Sequence, residues 1–246
     1  MNFKGKLGLQ QRVLPSYRVP FFDLLAGHCE GGMSLFAGQA RPVEMIAGGT
    51  TKSARHVEAR NVHLFGGAFY LCYQKSFIQW LADWNPDALI VEANPRYLAT
   101  PAAVSWMHAR GRKVIGWGLG APNPNGFWKR FVRQFDAMLA YSQRGADEYA
   151  ALGFPREKIF VAHNSVSPAP TFDVQRSTSN VAPTLLFVGR LQARKRIDSL
   201  LRACAELGTN PRLLIVGDGP ERAALESLAK EIYPSAEFVG AKHGVE

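Results

Sequence analysis

Phe187-Val188-Gly189-Arg190-Leu191-Gln192-Ala193-Arg194-Lys195-Arg196-Ile197-Asp198 and its echo, Leu214-Ile215-Val216-Gly217-Asp218-Gly219-Pro220-Glu221-Arg222, decide the fold. In both, a short apolar run stops at a glycine and a turn leads into helical spacing. The pattern predicts strands at 185–188, 212–216 and around 237–239, with helices at 196–207 and 221–231. Pro220 suits the first turn of a helix, where a missing N–H leaves nothing unpaired. Strands alternating with helices imply a parallel sheet.

The same alternation fills the chain upstream. Strands are predicted at 7–14, 33–37, 62–65, 88–91, 113–117, 137–141 and 159–162, and helices at 19–28, 70–84, 99–110, 126–135 and 144–152. Three- and four-residue spacing carries the helices, for example Leu71, Phe77, Ile78 and Leu81. Between the two blocks, residues 165–184 are rich in Ser, Thr and Pro and lack either period. The chain therefore divides into residues 1–165, a linker at 166–182 and a second unit at 183–246. That second unit is short beside the roughly 100–150 residues usual for a domain. Three strands and two helices leave an open sheet edge and an uncovered face, so the second unit is expected to be incomplete.

Composition narrows the class. With 246 residues, 47% hydrophobic and 20% charged, the chain is globular rather than disordered. It has no apolar run of about 18 residues, so no transmembrane helix is expected. The basic start, Met1 to Arg12, has no apolar stretch behind it, and a secretory signal is not expected. Three widely spaced cysteines, Cys29, Cys72 and Cys204, suit a reducing cytosol better than a disulfide framework. Residues 1–165 hold 19 Lys+Arg against 11 Asp+Glu, a balance of +8, whereas 166–246 hold 10 against 9. A basic first unit suits an anionic partner such as nucleic acid, a phosphorylated substrate or an acidic membrane, or it serves solubility.

Chemistry-bearing residues gather after strands. Gly189, Arg190 and Lys195 bracket the first turn of the second unit, where an arginine fork and a lysine point charge can hold a diphosphate beyond the sheet edge. A solvated basic turn is the plain alternative. Gly217, Asp218 and Gly219 begin a dinucleotide-type fingerprint, but Arg222 stands where its third glycine belongs, which argues against NAD. In the first unit, Tyr17 and Arg18 follow the opening strand. A cation there opposes the helix dipole, which favours a functional reason over a surface arginine. Glu92, Asn94 and Arg96 should emerge together after strand 88–91, with Glu92 as base or acceptor contact and Arg96 as phosphate contact, or as a structural ion pair. Trp117, before Gly118 and Gly120, reads as an aromatic in a permissive loop that stacks on a sugar, or as a core tryptophan.

Val188-Gly189-Arg190 with Arg194-Lys195-Arg196-Ile197-Asp198-Ser199-Leu200-Leu201, then the Gly217-Asp218-Gly219-Pro220-Glu221 segment, resembles the nucleotide-sugar domain of family 4 glycosyltransferases. Tyr141-Ser142-Gln143-Arg144, Leu152-Gly153-Phe154-Pro155 and His163-Asn164-Ser165 add to the resemblance, which is specific from about residue 141 onwards. It implies a GT-B architecture of two Rossmann-like α/β domains, the second incomplete. It also implies a retaining, metal-independent transfer of a hexose from a nucleoside-diphosphate sugar. Arg190 and Lys195 would hold the donor diphosphate with Gly189, Gly217, Asp218, Gly219 and Arg18. Tyr17, Glu92, Asn94, Arg96 and Trp117 would face a glycan or polyprenyl-linked acceptor. The implied setting is polysaccharide synthesis in the cytoplasm, with peripheral contact at an anionic membrane and no nucleic-acid partner. The family's glutamate pair would lie beyond Glu246, so the chain by itself is expected to lack a complete donor site. Gly116-Trp117-Gly118 also carries no histidine where many members have one.

Other readings are weaker. A basic nucleic-acid-binding module rests on the pI near 9.7 alone. A phosphorylase- or epimerase-like enzyme on the same fold stays open. The histidines show no metal-site spacing and no Asp-x-Asp occurs, so no metal and no bound cofactor are expected. Walker and Gly-x-Ser-x-Gly motifs are missing as well.

Overall fold

The structure, a computed structural model, describes residues 2–121, 125–163 and 184–242. The chain divides into two units, residues 1–170 and 171–246. The expected linker at 166–182 lies outside the described residues.

In the first unit, β1 (Leu7–Val13) runs through the middle of an eight-stranded sheet and is buried along its length. It pairs in parallel with β2 (Met33–Gly38) and with β5 (Ala88–Glu92), so that Leu9 faces both Leu35 and Ile90. Beyond β2 lie β3 (Arg55–Leu64) and β4 (Leu71–Lys75). Beyond β5 lie β6 (Lys113–Gly118), β7 (Ala137–Ala140) and β8 (Ile159–Val161). The order is β4-β3-β2-β1-β5-β6-β7-β8, all parallel except the β3–β4 hairpin. The chain builds outward from β1 to β4, then crosses back to the other side of β1. The β1/β5 boundary is therefore the topological switch point, where α/β sheets open a crevice at their carboxyl edge.

Helix α1 (Val19–Gly27) covers one face, packing Phe22 with Leu9, Leu35, Ile90 and Trp117. On the other face α2 (Phe77–Trp84), α3 (Thr100–His108), α4 (Gly126–Val132) and α5 (Gln143–Ala151) pack with Leu89, Val91, Val114 and Met138. Each such fully buried leucine contributes about 2 kcal/mol. Asn125 and Ser142 cap α4 and α5 by accepting the Trp128 and Gly145 N–H groups.

The helix expected over 70–84 is half strand. Residues 71–75 alternate, with Cys72 and Gln74 buried and Tyr73 and Lys75 exposed, and they form β4. Helix starts only at Phe77, after Ser76 turns the chain at φ +64°. The strand expected at 62–65 is the end of β3, which begins at Arg55. Its polar residues hide it, because an edge-side strand need not be apolar. Phe65 (φ +59°) and Gly67 (φ +56°) turn the hairpin.

The second unit is a parallel sheet of β9 (Thr184–Val188), β10 (Arg212–Val216) and β11 (Ala236–Gly240), ordered β11-β10-β9. Helices α6 (Ile197–Glu206) and α7 (Arg222–Ile232) bury Ile197, Leu201, Leu225 and Ala229 against Leu213 and Ile215. Leu185 and Phe187 join that core, while the alternate residues of β9, Leu186 and Val188, are 63% and 68% exposed. One face is thus uncovered, as the element count predicts. Among the described residues, no helix is long and apolar enough to cross a membrane. Cys29, Cys72 and Cys204 are buried and free.

Candidate functional site

The carboxyl edge of β1 is polar for a central strand. Gln10, Gln11 and Arg12 interrupt its apolar run, and burying them is tolerable only if each finds partners. Gln10 donates to Gln74 Oε1 on β4 and accepts the Glu92 N–H on β5 at 3.0 Å. Gln74 donates to the Gln11 carbonyl at 3.1 Å and to Asn61 Oδ1 at 2.9 Å. Asn61 in turn donates to the Arg12 carbonyl at 2.8 Å. Side-chain amides thereby tie the hairpin to β1. Arg12 bonds Glu44 at 2.9 Å, and Arg41 bonds the same carboxylate through its backbone N–H and, at 3.2 Å, its guanidinium. Burial alone would raise Glu44, but these donors hold it at about 2.

Arg18 closes the one-turn 3-10 helix Ser16–Arg18 and stands at the start of α1. It is 7% exposed. Its guanidinium carbon lies 4.6 Å from the Trp117 ring centre and 5.2 Å from that of Phe22, with Tyr141 at 5.7 Å and Phe21 at 5.8 Å. Nη1 donates to Tyr141 Oη at 3.1 Å and to Gln11 Oε1 at 3.4 Å. Among the described residues, its Nε and the Trp117 Nε1 are buried without hydrogen-bond partners. A cation boxed by aromatic faces therefore sits at the switch point. Glu92 ends β5 beside it and accepts the Arg12 N–H. Burial pushes its carboxyl above the ordinary range, against the pull of Arg12 and Arg18.

Trp117 is a strand residue of β6, 3% exposed, and its ring is covered by Arg18 and Phe21, so no loop presents it to a sugar. Tyr17 is 52% exposed and open to a ligand. Glu92, Asn94 and Arg96 follow one another after β5, as expected, but then diverge. Asn94 accepts the Arg96 N–H at 3.1 Å and shapes the turn, whereas the exposed Arg96 side chain turns to the hairpin, beside Phe65 and Phe69. Tyr141, Gln10, Gln11, Arg12 and Glu44 were not among the expected site residues. The polar triplet inside an apolar strand was the available signal for the middle three.

In the second unit, Gly189 and Arg190 follow β9, and Lys195 ends a 3-10 turn before α6. The loop after β10 locks onto that turn. Gly189 donates to the Val216 carbonyl at 2.9 Å, Leu191 to that of Asp218 at 2.9 Å, and Glu221 to that of Leu191 at 3.1 Å. Arg190 is thus held between two pinned neighbours, and Lys195 is exposed. A Cβ on Gly217 (φ +143°) would stand 1.9 Å from the Gly189 oxygen, and one on Gly219 would stand 2.3 Å from that of Leu191. The contact that demands these glycines is loop against loop. Asp218 accepts the Gly219 N–H at 2.7 Å and pairs with Arg222 at 3.3 Å, and Arg222 also pairs with Glu226. Arg222, in place of a third glycine, therefore latches this loop to α7. Among the described residues, no three His, Cys, Asp or Glu side chains gather as a metal-ligand set.

Residues 182–245 match the family profile of glycosyl transferases group 1. The matched stretch runs through the second unit from β9 to β11. A GDP-mannose-dependent alpha-mannosyltransferase of Mycobacterium tuberculosis (strain CDC 1551 / Oshkosh) is 34% identical over 125 residues, 48% of this chain and 32% of the relative. The match thus spans about a third of that protein's length. Among solved structures, the lipopolysaccharide outer core galactosyltransferase WaaB in its apo form superposes with a TM-score of 0.64 at 17% identity. That match covers 96% of this chain and 68% of the other. Anabaena Alr3699/HepE in complex with UDP gives 0.63 at 15%, covering 100% and 70%. The UDP-N-acetylglucosamine 2-epimerase of Rickettsia bellii gives 0.56 at 14%, covering 96% and 68%. The chain has the GT-B architecture of two Rossmann-like α/β units, the second partial. The matched stretch contains Arg190, Lys195 and the interlocked glycine loops.

Proposed function

We propose that the chain is part of an enzyme that transfers a hexose from a nucleoside-diphosphate sugar to a hydroxyl of a glycan or polyprenyl-linked acceptor, in cell-surface polysaccharide synthesis. The acceptor is met at an anionic membrane surface. The carrying observation is the Gly189-Arg190…Lys195 turn, pinned by the loop after β10 and lying inside the stretch that matches group 1 glycosyl transferases. In the transfer, the bond from the anomeric carbon to the diphosphate oxygen breaks as the acceptor hydroxyl's oxygen bonds that carbon, and the hydroxyl proton passes to the departing diphosphate. Negative charge grows on the departing diphosphate, and Arg190 and Lys195 neutralise it from a preorganised turn. Side chains thereby supply the stabilisation with no need for a metal, and transfer proceeds with retention. Glu92 and Tyr17 serve the acceptor side. Arg18, already boxed by aromatic rings, adds positive potential from beneath the switch point rather than a direct fork.

Calorimetry with UDP and GDP tests this reading. One nucleotide should bind, and R190A should weaken it about 10- to 100-fold, as expected for lost charge-assisted hydrogen bonds. Unchanged affinity in R190A, or preference for an oligonucleotide over both nucleotides, would overturn it.

A further inference from the structure

The β3–β4 hairpin carries an apolar surface that no core accounts for. Phe65 and Phe69 are 75% and 81% exposed at its tip, and Leu64, Tyr73 and Leu98 are exposed beside them. The ladder pairs Leu64 with Leu71, Val62 with Tyr73 and Arg60 with Lys75, so these six share one face in alternate rungs. Leu98 donates to the Cys72 carbonyl, which lays residues 96–98 alongside β4 and widens that face. Phe65, Phe69, Tyr70, Leu71 and Arg96 line a groove, and among its described lining residues none is acidic. Phe65 also holds φ +59°, a conformation that suits glycine or asparagine and is unfavourable for an aromatic residue. A strained and exposed aromatic residue is kept for what it touches.

Its surroundings specify a membrane. Arg60 and Lys75 are exposed and lie four residues behind Leu64 and Leu71, roughly 13 Å along the strands. An amphipathic element seated at an interface buries its apolar side about 5–10 Å deep. With the phenylalanines at that depth, Arg60, Lys75 and Arg96 reach the level of lipid phosphates. Glu58, the acidic residue of β3, sits six residues before Leu64 and is engaged by Gln39. The +8 balance of residues 1–165 has the matching sign.

We propose that the β3–β4 hairpin, with Phe65 and Phe69 inserted and Arg60, Lys75 and Arg96 on phosphates, seats the first unit on an anionic lipid bilayer. This rests on the membrane part of the function proposed above and names the surface that performs it. Cosedimentation of the full chain with vesicles of phosphatidylglycerol in phosphatidylcholine, and of phosphatidylcholine alone, tests it. Wild type should bind the anionic vesicles, with release at high salt. The F65S/F69S double variant should bind about tenfold or more weakly at an unchanged melting temperature, since both side chains are already exposed. Tryptophan fluorescence of Phe69→Trp should be quenched by brominated lipid beyond the wild-type level. Wild type that ignores anionic vesicles would remove both the hairpin proposal and the membrane reading. Wild type that binds while F65S/F69S binds equally well would refute the hairpin and leave the membrane reading standing. Equal binding to neutral vesicles would refute the cationic rim. A dimer split by F65S/F69S without lipid binding would assign the face to self-association and overturn the proposal.

Discussion

Gly217→Ala separates two explanations of the glycine-rich loop in the second unit. If glycine is there so that a nucleotide can approach the backbone, alanine should weaken binding and leave the fold intact. The geometry demands otherwise. The new Cβ would fall 1.9 Å from the Gly189 oxygen, on a backbone at φ +143° that an L-residue rarely adopts. Neither partner can retreat freely, because Gly189 donates to Val216, Leu191 to Asp218 and Gly217 to the Gly240 carbonyl at 2.8 Å. Separating the loops forfeits those three hydrogen bonds at about 1 kcal/mol each. Keeping them forces backbone strain of about 1–3 kcal/mol in addition to the clash. A loss of about 3 kcal/mol by the first route is a large part of the 5–15 kcal/mol that holds an ordinary domain together. The five tryptophans, Trp80, Trp84, Trp106, Trp117 and Trp128, all lie in the first unit, so their emission reports that unit alone. G217A should therefore leave the tryptophan-monitored urea transition in place. Hydrogen exchange should show protection lost across β9, β10 and β11. Wild-type protection there, combined with weaker nucleotide binding, would refute the packing argument and restore the ligand-approach reading.

Three further outcomes follow from named contacts. Glu44 sits near 2 in the folded chain against an ordinary 4.5, so its contribution of about 3 kcal/mol is complete above pH 4.5 and is lost as pH falls towards 2. E44Q should flatten acid unfolding in that window; an unaltered acid limb in urea titrations would count against the Arg12–Glu44–Arg41 cluster. Tyr149→Phe removes the acceptor of the Gly120 N–H inside the core and should cost about 1–3 kcal/mol by urea denaturation. Arg18→Met removes a buried charge whose hydrogen bonds go to neutral groups, so stability should change by less than about 1 kcal/mol while nucleotide affinity falls. A drop of several kcal/mol would make Arg18 a structural residue.

Sequence pattern reached the fold wherever both faces of a strand are buried. β2, Met33–Gly38, is apolar because it has helices above and below, and such runs cannot be mistaken for loops. β4 was hidden because Cys72 and Gln74 face inward while Tyr73 and Lys75 face outward, and Leu71 happens to match the spacing of α2. What the site is made of was less legible, for a reason of distance. Arg18 is defined by Tyr141, 123 positions away, and by Trp117 on β6. Local spacing carries no information about such partners. The glycines are ambiguous in another way: Gly217 and Gly219 carry the same signature whether a phosphate or a neighbouring loop fills the space above them.

The two arginines of the switch point show why its charge is not settled by counting residues. Arg12 lies on β1 and Arg18 follows it, both largely withdrawn from water, yet Arg12 meets the Glu44 carboxylate and is neutralised there. Among the described residues, Arg18 hydrogen-bonds through its side chain a phenol and an amide alone. Its compensation would have to come from Glu92, whose carboxyl is itself pushed towards the protonated form by burial. A protonated Glu92 leaves a full positive charge inside a low-dielectric pocket, where its field is weakly screened. Ionised, Glu92 cancels that field and withdraws the site's pull on an anion. Binding of a phosphate-bearing ligand to this edge should thus take up a proton to the extent that Glu92 is ionised beforehand. Calorimetry in buffers of different ionisation enthalpy reads that directly, and E92Q, which fixes the neutral form, should abolish the buffer dependence while preserving affinity. If E92Q lowers affinity and leaves the proton count unchanged, the charge at the switch point is controlled elsewhere and Glu92 acts on the acceptor alone.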